Sequence, residues 1–229
     1  KVVATTADIS VASSDKTFQT SAAVPTIVHG PYLSRMTQNS ITIAWETDTE
    51  CSAILYYTTA DHYNETGLYD KQVKSQNSSI EAKGYHHVVN LTGLSPSTGY
   101  RYQVVATATD GGTATSNNHF RTAVQIDKPF TFVAFGDTRS RPDQFDIVVD
   151  TIVRLNPHFV LHTGDLVADG RDLSNWADFF KVGRKMLQSI PFYPSLGNHE
   201  RNAKYYYDFF ELPSNEQWYA FEYGNSLFV

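Results

Sequence analysis

Three short segments of the sequence carry residues able to do chemistry together: Gly136-Asp137, Gly164-Asp165 and Gly197-Asn198-His199-Glu200. Asp137, Asp165, Asn198 and His199 among them offer two carboxylates, one amide oxygen and one imidazole. Oxygen and imidazole donors suit hard or borderline divalent ions such as Mg, Mn, Fe or Zn. The glycine before each tip lets the backbone turn sharply and approach a bound ion closely. A single Gly-Asp marks a capped loop just as readily. The chemical reading therefore depends on all three tips arriving at one place.

The elements around the tips say how that happens. FTFVAFGD, residues 130–137, is a near-continuous apolar run, the pattern of a strand buried on both faces of a parallel sheet. In RPDQFDIVVDTIVRLN, Phe145, Val148, Val149, Ile152 and Val153 recur at helical spacing, with Pro142 in the first turn. A second strand, HFVLHTGD, precedes the helix SNWADFFKVGRKMLQSI, for which Ser174 is the expected N-cap. FYPSLGNHE is a third strand. This βαβαβ order predicts a parallel sheet with right-handed crossovers, and ligands of such sheets bind beyond the carboxyl ends of the strands. Each of the three strands ends in one of the polar tips. His162, three residues before Asp165 on its strand, is expected to face the other side of the sheet and to be a core or supporting residue. Tyr205, Tyr206 and Tyr207 read as the start of a packed helix, and Glu200 as its N-terminal cap.

Residues 25–123 follow a different rule. Short runs such as SITIAWET, SAILYYTT, HHVVNLTGL, YRYQVVATAT and NHFRTA alternate and are separated by turn residues. Ile41, Ile43 and Trp45 share one face of a half-buried strand, and Asp110-Gly111-Gly112 marks a hairpin turn. No helical period intrudes, so an all-β sandwich is expected. His86 and His87 are adjacent and point to opposite faces of their strand, which rules them out as a chelating pair. Residues 1–24 are rich in Ser, Thr and Ala and read as a tail or linker with at most one edge strand.

Leu94-Ser-Pro96-Ser-Thr98-Gly-Tyr100-Arg-Tyr102 resembles the tyrosine corner of fibronectin type III domains, with Trp45 as their core tryptophan. The ordered tips Gly-Asp, Gly-Asp and Gly-Asn-His-Glu resemble the calcineurin-like metallophosphoesterase superfamily. A β-sandwich placed before them is similar to the arrangement in purple acid phosphatases and their bacterial relatives. The resemblance implies a fibronectin III-like sandwich followed by the N-terminal part, residues 130–229, of an αββα phosphoesterase domain. It implies hydrolysis of a phosphoester at a dinuclear centre of Fe, Mn or Zn through a metal-bound hydroxide. Asp137 is then a ligand of the first metal, Asp165 the bridging carboxylate, and Asn198 a ligand of the second metal. His199 is the catalytic histidine that contacts the phosphate. Ions about 3.5–4 Å apart clamp the phosphate and acidify the bridging water.

The sequence departs from that pattern in two places. The family's common Asp-x-His reads Asp137-Thr138-Arg139 here, and a guanidinium has only donors and cannot ligate a metal. Arg139 is either a fork for the substrate phosphate or a partner for carboxylate or solvent. Where purple acid phosphatases read Gly-Asp-x-x-Tyr, the position holds Ala168, so the PAP-like bacterial group fits better than a purple enzyme. The family's further histidines, one from a later strand and others in a Gly-His-x-His loop, have no counterpart, because no histidine follows His199. The chain is therefore expected to be part of a larger protein, to bind metal weakly by itself, and to self-associate through apolar sheet surface. The alternative is an extracellular binding or adhesion module with a degenerate phosphoesterase domain.

Composition sets the remaining bounds. The 229 residues carry a net charge of −6 and are 41% hydrophobic, enough to bury a sizeable core. No Lys/Arg run offers a nucleic-acid footprint, and no apolar stretch is long enough for a membrane span. Cys51 is alone, which excludes an intrachain disulfide and reads as a small buried residue. N-x-[ST] sequons at Asn64, Asn77 and Asn90, with a start at Lys1, point to a secreted, periplasmic or cell-surface protein whose signal peptide has been removed.

Overall fold

The computed structural model describes residues 3–6, 9–12, 24–80 and 84–229. Within the segment read as a tail, β1 (Val3–Thr6) and β2 (Ile9–Ala12) pair antiparallel, so it holds a two-stranded ribbon. The strands of the sandwich are β3 (Ile27–Ser34), β4 (Ile41–Thr47), β5 (Cys51–Thr59), β6 (Lys71–Lys74), β7 (Gln76–Ile80), β8 (Gly84–Leu91), β9 (Gly99–Ala108) and β10 (Thr113–Arg121). They form two four-stranded antiparallel sheets, β3-β4-β8-β7 and β10-β9-β5-β6. Inward-facing Ile41, Ile43, Trp45, Leu55, Tyr102 and Val104 share one core, with Trp45 0% exposed. Cys51 is buried and free. A short helix, α1 (Ala60–Thr66), does intrude between β5 and β6. Its seven residues bury none of their side chains, so no apolar period announces it. It is defined by the Thr59 side-chain cap and by Gly67 in left-handed conformation at its end.

The Tyr100 hydroxyl accepts the Ser95 N–H at 2.9 Å and closes the tyrosine corner. His86 and His87 do point to opposite faces. His87 lies inside the sandwich, bonded to Thr47 and Asn77 and stacked on Trp45. Burial lowers its pKa to about 4, so the ring is neutral.

The second half contains β11 (Phe132–Phe135), α2 (Pro142–Leu155), β12 (Phe159–His162), α3 (Leu173–Leu187), β13 (Phe192–Pro194), α4 (Lys204–Phe209), β14 (Phe221–Tyr223) and β15 (Ser226–Phe228). β11, β12 and β13 form a parallel sheet in that order, and β14 and β15 pair as an antiparallel hairpin. In α2, Pro142 occupies the first turn and Phe145, Val149 and Ile152 are buried, whereas Val153 is exposed. α3 begins two residues earlier than expected: Asp172 is its N-cap and accepts the Ser174 N–H at 2.9 Å. β12 is the buried central strand. β11 lies at the sheet edge and is not buried on both faces; Phe132 is 43% exposed, although its ring stacks on Phe159.

The two halves share a boundary. All seven residues of β4 are buried, where the alternation suggested a half-buried strand, because the second half covers the outer face of that sheet. His29 stacks on Phe180 of α3 with ring centroids 4.7 Å apart, and Tyr32 packs on Phe180 and Phe210. Among these rings lies a charged cluster. His86 is held by Glu46 at 2.6 Å and Glu211 at 3.2 Å, while the Tyr32 hydroxyl contacts both Glu46 and the Phe209 carbonyl. Burial alone lowers the His86 pKa, but the hydrogen bonds with Glu211 and Glu46 outweigh it and raise it to about 9.

Candidate active site

The tips after β11, β12 and β13 meet at one end of the parallel sheet. The Asp137 N–H donates to the Gly164 carbonyl at 3.1 Å and the Arg139 N–H to the Asp165 carbonyl at 3.3 Å, which joins the first tip to the second. Asp137 and Asp165 have φ of 56° and 59°, a left-handed conformation that non-glycine residues adopt mostly where the surrounding structure enforces it. The second and third tips press backbone against backbone. A Cβ on Gly164 would lie 2.7 Å from the Gly197 nitrogen, and one on Gly197 would lie 2.1 Å from Asp165 Oδ1. These two glycines permit loop-on-loop contact, whereas the sequence suggested approach to an ion.

Glu200 ties the tips together. It is 0% exposed; its Oε2 accepts the N–H groups of Asp165 at 2.9 Å and Gly197 at 2.6 Å, and its Oε1 that of Val167 at 3.2 Å. It does not act as the expected helix cap, since α4 starts after Ala203 and has no side-chain cap. Its partners in the second tip are 33 and 35 residues away, so local sequence carries no signal of the contact.

His199 is half-buried, and its N–H donates to Asp165 Oδ1 at 3.1 Å. Its Nδ1 lies 2.7 Å from the Ala168 carbonyl. A carbonyl only accepts, so Nδ1 carries the hydrogen and Nε2 is the atom left to take or deliver a proton. Asn198 is exposed in the turn beside it. His162 is buried and neutral, its pKa lowered to about 4 by desolvation against the opposing pull of Asp137 and Asp165. Its Nδ1 accepts the Gly164 N–H at 3.3 Å, which leaves Nε2–H to donate to Thr138 Oγ1 at 3.1 Å. Thr138 in turn donates to the Leu166 carbonyl at 3.1 Å, so His162 holds the first and second tips in register.

Arg139 faces carboxylates. One of its terminal nitrogens, Nη1, donates to both Asp137 and Asp165. The Asp165 side chain is 12% exposed, that of Arg139 29% and that of Asp137 72%, so the pairing runs from the protein interior out to solvent. The hydrogen bond to Asp137, with the charge of Asp165, raises the guanidinium pKa further. Beside Arg139 an open pocket of about 270 Å³ is lined by Thr138, Ser140, Phe145, Ala168 and Phe179.

This donor chemistry matches a single cationic position, at which carboxylates from two strands converge. Among the described residues no three His, Cys, Asp or Glu side chains group as metal ligands do. The described residues therefore do not fit a two-ion centre, and the positive charge between Asp137 and Asp165 is that of Arg139. No helix among the described residues is long and apolar enough to cross a membrane.

Comparison with known proteins agrees with this architecture. Residues 25–122 match the purple acid phosphatase N-terminal domain, and residues 130–228 match the calcineurin-like phosphoesterase family. The purple acid phosphatase PPD1 from yellow lupin (Lupinus luteus) seeds superposes with a TM-score of 0.69 at 17% identity, over 87% of this chain and 43% of the lupin chain. A structure of PhoD superposes with a TM-score of 0.62 at 8% identity, over 80% of this chain and 40% of that one. The chain thus spans less than half the length of either. No curated protein matches it.

Proposed function

From a chain whose second half matches the calcineurin-like phosphoesterases, we propose a metal-dependent hydrolase of phosphomonoesters or phosphodiesters, with the sandwich as the wall against which its catalytic part is built. The observation that carries this reading is the convergence of Asp137, Asp165 and the His199 backbone on one sheet end, locked by Glu200. In this reading Asp137 and Asp165, with Asn198 as a third oxygen donor, would hold the metal. When bound, it neutralises phosphate charge and lowers the pKa of water. His199 Nε2 protonates the leaving oxygen, while Ala168 fixes the ring through Nδ1. Arg139 offers a bidentate fork to phosphate oxygens. We place the protein outside the cytoplasm, with the exposed Asn64, Asn77 and Asn90 as its sequons, and assign self-association to the apolar edge at Phe132 and Leu227.

The decisive assay is hydrolysis of p-nitrophenyl phosphate and bis(p-nitrophenyl) phosphate by the longest natural form of the chain, with Mn, Fe, Zn and Mg added singly. Metal-dependent turnover that His199→Ala reduces by 100-fold or more, the range general acid catalysis supplies, supports the reading. Turnover unaffected by His199→Ala refutes it. The Arg139 pairing favours a second reading, a binding module whose phosphoesterase site has lost its metal, and that reading expects no turnover with any ion.

A further inference from the structure

Away from the strand-end tips, the sandwich and the second half enclose a pocket of about 220 Å³ that no carboxylate lines. Arg101 of β9 stands opposite His119 of β10, and Arg121 lies two residues further along β10, so the three share one face. Diagonal neighbours on paired strands sit about 7–8 Å apart, within reach of two arginine side chains. The facing wall comes from the second half: Asn156 after α2, His158 before β12 and Ser189 before β13. The Thr131 N–H donates to His158 Nδ1 at 3.1 Å, which leaves the ring hydrogen on Nε2. The Tyr102 hydroxyl donates to the Gln188 carbonyl at 2.7 Å and fixes the two walls against each other.

The charge here runs against that of the chain, whose net charge is −6. Neither Arg101 nor Arg121 has a carboxylate partner among the described residues. Arg121 Nε is buried and has no hydrogen-bond partner among them, and a buried donor of this kind calls for an acceptor. Burial first and then the Arg101 charge lower the pKa of His119; burial and then Arg121 do the same for His158. We infer that this pocket is a binding site for a small tetrahedral oxyanion, held between the arginines of the sandwich and the His158 and Ser189 donors of the second half. Donors that converge from two walls suit oxygens pointing in several directions better than they suit a planar carboxylate, for which one fork is enough. His158 precedes β12 and the Gly164-Asp165 tip follows it, so this site and the candidate active site lie at opposite ends of the parallel sheet. The inference is therefore independent of the phosphoesterase reading. An anion bridging both halves also stabilises the folded chain by mass action.

The test is titration of the chain with inorganic phosphate in EDTA, with NaCl at matched ionic strength as reference. Calorimetry, melting temperature and the NMR resonance of the Arg121 Nε–H are the readouts. Wild type is expected to bind phosphate saturably, to melt higher in it, and to show the Nε–H resonance shifting along the same curve. Arg101→Gln and Arg121→Gln should each weaken binding about tenfold or more, the loss of one hydrogen bond to a charged group. The double variant should show no binding, yet in NaCl it should melt no lower than wild type, because two like charges are gone. Arg139→Gln should bind phosphate as wild type does. Sulfate should displace phosphate, and acetate at equal concentration should not. Phosphate that shifts wild type no more than NaCl, or that binds the double variant unchanged, overturns the inference. So does loss of binding in Arg139→Gln alone, or displacement by acetate. Absence of ester hydrolysis with any metal defeats the phosphoesterase reading and leaves this site standing.

Discussion

Replacing Glu200 by alanine removes one buried carboxylate that serves three backbone N–H groups, those of Asp165, Val167 and Gly197. None of the three has another place to turn without moving the tip that carries it. A buried donor left unsatisfied costs about 1–3 kcal/mol, and hydrogen bonds to charged groups lie at the upper end of the usual range. The carboxylate was itself costly to bury, and its loss offsets part of the penalty. The expected net loss for Glu200→Ala is about 4 kcal/mol, a large share of the 5–15 kcal/mol that stabilises a typical domain. Glu200→Gln is milder. Its amide oxygen can serve Asp165 and Gly197, but its NH2 group then faces the Val167 N–H, so about 2 kcal/mol is lost. Urea denaturation gives the global values, and native-state hydrogen exchange reads the amides of Asp165, Val167 and Gly197 directly. The loss should appear as faster exchange at those three amides before β12 responds. An alanine variant within 1 kcal/mol of wild type, with those amides still protected, would show that Glu200 does not hold the tips together.

Two further outcomes follow from the sandwich and its boundary. His86 has its pKa raised to about 9 by Glu211 and Glu46 against burial, so its contribution is complete below the unfolded value near 6.5 and is lost as pH rises through about 9. Denaturation midpoints should fall between pH 6.5 and 9.5 in wild type and be flatter in His86→Gln; parallel curves would contradict the assignment. Tyr100→Phe removes the acceptor of the Ser95 N–H and should cost about 1–2 kcal/mol by chemical denaturation, with no change at the strand-end tips.

What could be read from sequence and what could not divides along the range of the interaction. Strand alternation in β4, the tyrosine corner and the order of the tips are local patterns, and the local physics that writes them also folds them. The errors arose where a distant segment decides. β4 alternates like a half-buried strand, yet α3 and its aromatic residues cover the other face. The run at 130–137 reads as fully buried, but position at the sheet edge leaves Phe132 partly open. Asp172 and Ser174 are both good caps, and only the geometry selects Asp172. At the candidate site, Asp137 and Asp165 announced themselves by type and place. Glu200 did not, because its role lies in three backbone amides and none of them has a side-chain identity to read. Arg139 showed itself as an oddity whose partners only the folded chain reveals.

The boundary around His29, Tyr32, Phe180 and Phe209 makes the sandwich more than an appended module. Cutting the chain at the segment between β10 and β11 would leave each piece with a sticky aromatic wound, and on one side the paired ions Glu46 and His86 would be stripped of Glu211. Engineers who wish to transplant the second half must therefore carry the sandwich with it or resurface that wall.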